Sequence, residues 1–422
     1  MLDEKIKRDF LAILEEELIP AMGCTEPIAL AYACAKAREV LGEEPDKITA
    51  KCSGNIIKNV RCVSIPNSGG MTGIEAACVL GALCGDAARE MEVLEAVTPQ
   101  GLEKAVEFIQ NGGCVVEYLE SPIPLHFIIT LEKGIKSAEV EVRHSHTNIV
   151  RITGNGENVF MAKDFETDSV TADRSALSVE NIYAFAEEAK LSAIEPFVKK
   201  QIEYNMAIAE EGMKGGYGVG IGKEIMELYP DFVFTRMKAY AAAASEARMD
   251  GCSMPVIITS GSGNQGLASS VPVIVYAREK GVPEERMMRS VIFSSLLTVF
   301  QKEYIGKLSA FCGAVSASCA AGAAITYMVG GNIRQIKDTI DNTMADIPGI
   351  ICDGAKASCA AKIAMAVESG LLGLDMYYNG NQFYAGDGIV KRGVENTIKS
   401  VSRLAREGMY QTDKEIIKII IE

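Results

Sequence analysis

The sequence predicts an α+β fold, in which an N-terminal α+β domain of residues 1–175 precedes an all-helical C-terminal domain of residues 176–422. Residues 114–160 alternate between apolar and polar side chains, which is typical of strands with one buried face. After Ser178, almost every segment instead repeats with the period of a helix. A chain of 422 residues is also long enough for two domains. The change of period therefore predicts the domain boundary.

The N-terminal domain is predicted to combine helices with one antiparallel sheet. The predicted helices are residues 4–18, 25–41, 74–88 and 100–111. β-branched residues predict one or two strands over residues 47–63. Alternation predicts four more strands, over 115–119, 126–131, 138–144 and 148–152. Turn signals between these strands favour hairpin pairing. The polar segment 164–173 is the predicted connection to the second domain.

The C-terminal domain is predicted to be helical throughout, because apolar residues recur at every third or fourth position. The predicted helices are residues 178–190, 193–213, 219–228, 232–249, 267–280, 283–305, 308–329, 333–346, 354–371, 391–406 and 412–421.

Composition excludes several classes of function. The net charge is −14 and no run of Lys or Arg stands out, so we expect no nucleic-acid partner. No stretch is apolar enough to span a bilayer, and the first residues lack the apolar core of a signal peptide, so no membrane role is expected. Twelve cysteines without a secretion signal indicate a reducing cytoplasm. A homo-oligomer is left open.

Cys312, Cys352 and Cys359 are candidate metal ligands near the end of the chain. Soft thiolates bind soft metals, and iron–sulfur clusters are their usual occupants. Three thiolates on a four-iron cluster leave one iron free as a Lewis acid, whereas Cys319 as a fourth ligand would close the cluster. The alternative is that these are small apolar core residues, because no short Cys-x2-Cys signature is present.

A repeat surrounds these cysteines. Residues 312–321 and 352–361 share the spacing Cys-x6-Cys and the tail Ala-Ser-Cys-Ala-Ala. Seven residues are close to two helical turns, so both cysteines of a pair could share one helix face. Two close-packed helices with small-residue contacts explain the repeat equally well.

Two further motifs carry polar or reactive groups in the N-terminal domain. Cys24 lies in Gly23-Cys-Thr-Glu-Pro, just before a predicted helix, where the helix dipole favours a thiolate that could act as a base. Ser53-Gly-Asn-Ile-Ile-Lys-Asn could bring backbone donors and the Lys58 charge to a carboxylate. A buried cysteine at a helix entry and an ordinary strand-end turn are the structural alternatives.

The C-terminal domain contains a glycine-rich loop, residues 260–266, directly before a predicted helix. Such loops bind carboxylates or phosphates at helix starts, although linkers look similar. The loop also resembles one found in pyridoxal-phosphate enzymes that catalyse β-elimination, but the helical surroundings lack the alternating strands of those folds. His144 and His146 are predicted to form a solvent-facing pair, with proton transfer as the alternative.

Together these motifs resemble one family. Gly23-Cys-Thr-Glu-Pro, Ser53-Gly-Asn, Gly261-Ser-Gly-Asn-Gln-Gly, Leu308-Ser-Ala-Phe-Cys-Gly-Ala and Cys352-Asp-Gly-Ala-Lys-x-x-Cys are similar to the iron–sulfur L-cysteine desulfidases. That family is related to the α subunit of bacterial iron–sulfur L-serine dehydratases. The resemblance covers nearly the whole chain and keeps the order of the motifs.

The resemblance implies a [4Fe–4S] cluster held by Cys312, Cys352 and Cys359, with Cys319 outside the ligand set. It also implies that Cys24 is the catalytic proton acceptor. The spacing of Cys352 and Cys359 is that of the desulfidases. Some of the dehydratases end in a cysteine that occupies the open iron, and this sequence ends Ile419-Ile-Ile-Glu. Both features favour a cysteine substrate over serine.

The implied reaction is the α,β-elimination of L-cysteine to pyruvate, ammonia and sulfide. The open iron would bind the substrate carboxylate and the departing sulfur as a Lewis acid, while Cys24 removes the Cα proton. The candidate substrate-binding residues are Glu26, Ser53, Asn55, Lys58, Ser262, Gly263, Asn264 and Gln265. Among them, Glu26 is expected to meet the substrate ammonium. An L-serine or related dehydratase, a pyridoxal-phosphate enzyme, and a non-enzymatic cysteine-binding or redox-sensing protein are the alternatives.

Overall fold

The computed structural model describes residues 2–163, 172–306 and 308–422, and it has an N-terminal sheet region followed by a helix-rich C-terminal part. The N-terminal part contains α1 (Glu4–Glu17), β1 (Pro20–Met22), α2 (Thr25–Leu41), β2 (Lys47–Cys52), α3 (Gly54–Val60), α4 (Gly73–Cys84), α5 (Pro99–Gln110), β3 (Cys114–Tyr118), β4 (His126–Lys133), β5 (Lys136–Arg143), β6 (Ile149–Gly154) and β7 (Glu157–Met161). The predicted α+β fold class is confirmed.

The C-terminal part contains one short strand and eleven α-helices among the described residues. They are α6 (Val179–Glu188), α7 (Leu191–Lys214), α8 (Ile221–Leu228), α9 (Val233–Met249), β8 (Pro255–Ile257), α10 (Gly263–Glu279), α11 (Glu284–Ile305), α12 (Gly313–Met328), α13 (Ile333–Asp346), α14 (Cys359–Tyr378), α15 (Val394–Arg403) and α16 (Tyr410–Ile421). All eleven predicted helices are present. Most of the predicted connection, residues 164–171, lies outside the described residues.

The main sheet has six strands in the order β3-β2-β4-β5-β6-β7. Four of its five pairings are antiparallel, as predicted, but β2 and β3 pair in parallel because the helices between them return the chain to the same end of the sheet. One face is apolar, with Phe127, Ile129 and Leu131 of β4 fully buried. Helix α2 packs against β4 and β5 on one side and against α4 on the other, so nearly all of its faces are buried.

Three local predictions are wrong. Residues 54–60 form helix α3 rather than a strand, because packing against α16 and α2 outweighs the strand preference of the β-branched residues in this segment. Residues 354–358 form an irregular loop rather than the start of the helix predicted over 354–371, and α14 begins at Cys359. The C-terminal part is also not purely helical, because β8 pairs antiparallel with β1 in a separate two-stranded sheet.

The two parts share one continuous apolar core. Besides the β1–β8 pairing, α1 packs against α7 and α11, and α3 packs against α16. The division into two domains at residue 175 stays a prediction.

Candidate active site

A cavity of about 90 Å³ lies between the two parts of the protein, and four cysteines line it. They are Cys24, Cys312, Cys352 and Cys359. Cys24 also forms a small apolar cluster with Val63 and Met249, and Cys359 packs against that cluster. The structure therefore brings the predicted proton acceptor to the three predicted cluster ligands, although the four residues come from distant segments of the sequence.

Two backbone hydrogen bonds hold Cys312 and Cys352 side by side. The Cys312 N–H donates to the Ile350 carbonyl at 2.8 Å, and the Cys352 N–H donates to the Ala310 carbonyl at 2.7 Å. These bonds flank a short antiparallel bridge between the segments that precede α12 and α14. Cys312 is the residue that caps the start of α12, and Cys359 is the first residue of α14. Two of the three thiols therefore lie at helix starts, where the dipole favours negative charge.

Small residues allow α12 and α14 to approach closely. A Cβ atom on Gly322 would lie 2.4 Å from the Gly370 carbonyl oxygen, so larger residues would separate these helices. The prediction of two close-packed helices is confirmed. The prediction that both cysteines of each repeat share a helix face is wrong for the second repeat, because residues 352–358 are not helical.

The loop between Cys352 and Cys359 depends on a glycine. Gly354 has a φ of +96°, and a Cβ atom there would lie 2.1 Å from the Lys58 carbonyl oxygen. Any side chain at this position would strain the backbone and push the loop away from α3. The Cys359 thiol lies 3.7 Å from the Gly354 carbonyl oxygen, to which it donates.

Burial strongly affects the charges around these cysteines. Burial raises the pKa of the Cys312 thiol to about 12, and neighbouring Cys352 and Cys359 add to the effect. Burial also raises the pKa of Cys359. Lys302, which is 4% exposed, has its pKa lowered to about 8 by burial, although Cys352 and Cys312 oppose this shift. A metal must therefore displace protons from these thiols, and Lys302 supplies a nearby positive charge.

The three cysteines fit a cluster better than a single ion. Among the described residues, no group of three His, Cys, Asp or Glu side chains is arranged to hold one metal ion. In a four-iron cluster each thiolate binds a different iron, so the sulfur atoms stand farther apart than the ligands of one ion. Cys312, Cys352 and Cys359 all line this one cavity, and Lys302 lines it too, which is the donor set that a cluster with one open iron needs. Cys319 is fully buried and does not line this cavity.

Short strands position Cys24. Strand β1 ends at Met22, directly before Gly23, and it pairs with β8, which directly precedes the glycine-rich loop. Gly23 has a φ of +58°, and a Cβ atom there would lie 2.3 Å from Pro66 Cγ. The Thr25 hydroxyl donates to the Gly261 carbonyl at 3.1 Å, which ties the start of α2 to the loop. The β1–β8 pair therefore determines which residues face Cys24.

Glu26 accepts hydrogen bonds from three neighbours. Cys24 Sγ donates to Glu26 Oε2 at 3.2 Å, and the Thr25 hydroxyl, whose single hydrogen is shared between this oxygen and the Gly261 carbonyl, lies 3.1 Å from each. Asn59 Nδ2 donates to Glu26 Oε1 at 3.0 Å. His146 Nε2 lies 3.9 Å from that oxygen, which is beyond hydrogen-bond distance. His146 is 7% exposed, so the prediction of a solvent-facing histidine is wrong here, because its turn folds over the start of α2.

The charges of Cys24 and Glu26 are coupled. Burial raises the pKa of the Cys24 thiol well above its usual value, the Glu26 charge raises it further, and Arg248 lowers it. Burial alone would raise the pKa of Glu26, but His146 and Cys24 outweigh it and hold that pKa at about 2. Cys24 is therefore a thiol that donates to a carboxylate, and the helix start does not by itself make it a thiolate.

The glycine-rich loop contributes three predicted residues to the cavity wall, Ser262, Asn264 and Gln265. Helix α10 begins at Gly263, so these residues lie at its cap and in its first turn. Gln265 Oε1 is buried and has no hydrogen-bond partner among the described residues. Such an atom is costly to bury unless a ligand or water pairs with it.

Arg248 is a cavity residue that the sequence did not single out. It lies in the last turn of α9, is 1% exposed and lines the cavity. Its Nη1 donates to Asn264 Oδ1 at 3.1 Å. The Ala-rich sequence before Arg248 indicates a helix that is buried on all sides. This composition is the sequence feature from which the burial of Arg248 could have been predicted.

Ser53, Asn55 and Lys58 do not line the cavity that holds the cysteines. Ser53 and Asn55 line a neighbouring cleft of about 690 Å³, which shares Lys302, Leu308 and Ser309 with the cavity. Lys58 Nζ lies 2.6 Å from Asp413 Oδ1, and Asn55 Nδ2 donates to Asp413 Oδ2 at 2.9 Å. Helix α16 thus supplies the carboxylate that these two residues bind, and their contact with a substrate stays a prediction.

No helix in the described part of the chain combines the length and apolar character needed to cross a bilayer.

The chain is similar to three bacterial proteins that are each called "UPF0597 protein". It is 47% identical to the one from Lachnoclostridium phytofermentans, covering 98% of this chain and 99% of that protein. It is 45% identical to the one from Desulfitobacterium hafniense, covering 99% and 97%. It is 44% identical to the one from Treponema denticola, covering 100% and 99%.

A sequence model described as the serine dehydratase alpha chain matches residues 88–418. The match contains Cys312, Cys352 and Cys359, Arg248 and the glycine-rich loop, whereas Cys24 and Glu26 precede it. Since more than half of the sequence is matched, the chain belongs to the serine dehydratase alpha chain family.

Proposed function

We propose that this protein is an iron–sulfur L-cysteine desulfidase, which converts L-cysteine and water to pyruvate, ammonia and sulfide. The observation that most supports this proposal is the meeting of Cys24 with Cys312, Cys352 and Cys359 at one small cavity. Membership of the serine dehydratase alpha chain family supports a lyase in general terms. The choice of cysteine as substrate depends on the resemblance of the motifs to the desulfidases.

Cys312, Cys352 and Cys359 are the residues that would hold a [4Fe–4S] cluster. When bound, the cluster would supply a Lewis-acidic iron that stabilises negative charge on the carboxylate and on the departing sulfur. Lys302 would offset part of the negative charge of the thiolates, because it is buried beside Cys312 and Cys352.

Cys24 is the proposed acceptor of the Cα proton. It must be a thiolate to accept that proton, so its own proton must first pass to Glu26 Oε2, which lies 3.2 Å away, and burial and Glu26 both raise the pKa of Cys24. A substrate that brings an ammonium group into the cavity adds a positive charge beside the sulfur, and this lowers the cost of ionising Cys24. Glu26 holds the thiol in place through the 3.2 Å hydrogen bond. Its predicted contact with the substrate ammonium stays a prediction.

The first turn of α10 is proposed to orient the substrate. Gln265 Oε1 is a buried acceptor at the cavity wall, and a substrate ammonium would supply the missing donor. Ser262 and Asn264 line the same wall and offer further polar groups. After the sulfur leaves, the aminoacrylate product tautomerises and is hydrolysed to pyruvate and ammonia without further catalysis.

L-Serine dehydration is the second candidate function, and the description of the matched family favours it. The deciding experiment is anaerobic purification with iron and sulfide quantitation, followed by parallel assays of pyruvate from L-cysteine and from L-serine. A higher kcat/KM for L-cysteine, with sulfide equal to pyruvate, supports the desulfidase. A preference for L-serine would replace it with the dehydratase. Failure of an iron-loaded protein to release pyruvate from either would exclude both and favour a non-enzymatic role.

A further inference from the structure

The cavity contains a buried positive charge without a matching carboxylate. Arg248 is 1% exposed, and no Asp or Glu in residues 2–163, 172–306 or 308–422 forms an ion pair with it. Its Nη1 donates to the neutral Asn264 side chain, and its Nε is buried without a hydrogen-bond partner in the described structure. A buried charge is strongly destabilising unless an opposite charge pairs with it. An anion is therefore the expected partner of Arg248.

Other cations serve the predicted cluster ligands. Lys302 is buried beside Cys312 and Cys352. Lys362 follows Cys359 by one turn on α14 and pairs with Asp353, the neighbour of Cys352. Arg248 instead precedes Met249, which packs with Cys24 in one apolar cluster. The guanidinium thus acts on the side of the cavity where the proton acceptor lies.

We propose that Arg248 binds the α-carboxylate of the amino-acid substrate. This inference rests on the proposed function, since it names the side chain that holds the substrate of that reaction. A planar guanidinium can donate two parallel hydrogen bonds to one carboxylate, which fixes its orientation as a lysine ammonium does not. Either carboxylate oxygen can still approach a metal. Asn264 positions the guanidinium, because Asn264 Oδ1 accepts from both Ser245 Oγ at 3.2 Å and Arg248 Nη1.

Gly263 provides the space that the guanidinium occupies. A Cβ atom on Gly263 would lie 2.3 Å from Arg248 Nε and 2.5 Å from its Cζ. Gly263 is the first residue of α10, and its backbone conformation is one that alanine can adopt. Gly263→Ala should therefore displace the guanidinium while keeping its charge in the protein. The predicted substrate-binding role of Gly263 would then be indirect.

The first test measures binding without turnover, on the iron-loaded protein under anaerobic conditions. L-Alanine and L-alaninamide both lack a leaving group on Cβ, and only L-alanine has the carboxylate. Calorimetry should show tighter binding of L-alanine to the wild-type protein. Arg248→Met should weaken L-alanine binding by about 10- to 100-fold, the usual effect of losing a charged hydrogen bond. L-Alaninamide binding should change little. Arg248→Lys and Gly263→Ala should show intermediate losses, and they serve as tests if Arg248→Met does not fold.

The second test uses turnover of L-cysteine and its methyl ester, which lacks the negative charge. Arg248→Met should lower kcat/KM for L-cysteine far more than for the ester. Arg236→Met is the matched control, because Arg236 lies on the same helix at the surface, paired with Asp231. Arg236→Met should leave kcat/KM unchanged for both L-cysteine and its methyl ester.

The outcomes separate the inference from the proposed function. Equal binding of L-alanine and L-alaninamide to the wild-type protein would overturn the inference. The inference would also be overturned if the Arg248→Met protein lost iron or changed its visible spectrum while it still bound L-alanine more tightly than L-alaninamide. Arg248 would then be a counter-ion of the cluster. Arg248-dependent binding of L-alanine, in a protein that releases no pyruvate from L-cysteine, would support the carboxylate site and contradict the desulfidase.

Discussion

Replacing Cys24 with alanine should remove most of the elimination activity and leave the iron content unchanged. Loss of a positioned general base lowers the rate by about 10²- to 10⁴-fold. This corresponds to about 2.7–5.4 kcal/mol in the activation free energy. The effect on folding should be smaller, because Glu26 keeps the donors Thr25 and Asn59 and loses one charged hydrogen bond, worth about 1.5–3 kcal/mol.

The assay is kcat/KM for L-cysteine, measured as pyruvate release by anaerobically purified protein with quantified iron. Cys34→Ala is the matched control, because Cys34 lies on α2, the helix that begins directly after Cys24, is also buried and does not line the cavity. It should cost stability without a comparable loss of rate. If Cys24→Ala protein with full iron content turned over L-cysteine at the wild-type rate, Cys24 would not be the proton acceptor.

Two further predictions concern the cluster and the sheet. The Cys352→Ala protein should lose iron and the visible absorbance of the cluster. The control is Cys319→Ala, which changes a buried cysteine outside the cavity and should keep both. If the two variants retained the same amount of iron, the ligand assignment would be contradicted. Burial alone would raise the pKa of Glu141, but hydrogen bonds from His126 and Arg143 hold it at about 2. The ionised carboxylate therefore stabilises the fold fully above about pH 4.5, and this contribution is lost as the pH falls towards 2. Glu141→Gln should lower the free energy of unfolding by about 1–3 kcal/mol at pH 7. Urea titrations should show a smaller difference between the variant and the wild type at pH 3. If the difference instead grew at low pH, the expected direction of the pH dependence would be refuted.

Helical periodicity predicted much of the fold, but short elements escaped it. Strands β1 and β8 have three residues each, too few for an alternating pattern. Helix α3 carries Ile56, Ile57 and Val60, which favour strands locally. Tertiary contacts override that preference. Helix α3 packs so closely against α16 that a Cβ atom on Gly54 would lie 2.8 Å from Ile417 Cγ2. Because these two helices are far apart in the sequence, no local pattern of residues predicts that they pack together.

The sequence motifs were enough to propose that the four cysteines lie together, whereas the positions of the charged residues around them could be seen only in the structure. A lysine near the end of a predicted helix is ordinarily exposed, whereas Lys302 is buried. Asn59 ends the motif that begins at Ser53, yet it is Asn59 that lines the cavity and binds Glu26, while Asn55 and Lys58 bind Asp413. Lys58 and Asn59 are neighbours on α3 and point in directions about 100° apart, and the sequence alone does not specify which of them faces the cavity.

The pairing of β1 with β8 has a consequence for assembly of the enzyme. It is formed by segments more than 230 positions apart, and it joins the start of α2 to the loop before α10. Neither half of the chain, made as a separate polypeptide, would possess a finished pocket. If separately expressed fragments recovered activity only after they were mixed, the protein would serve as a reporter of fragment complementation, in which the pairing of β1 with β8 joins the two fragments.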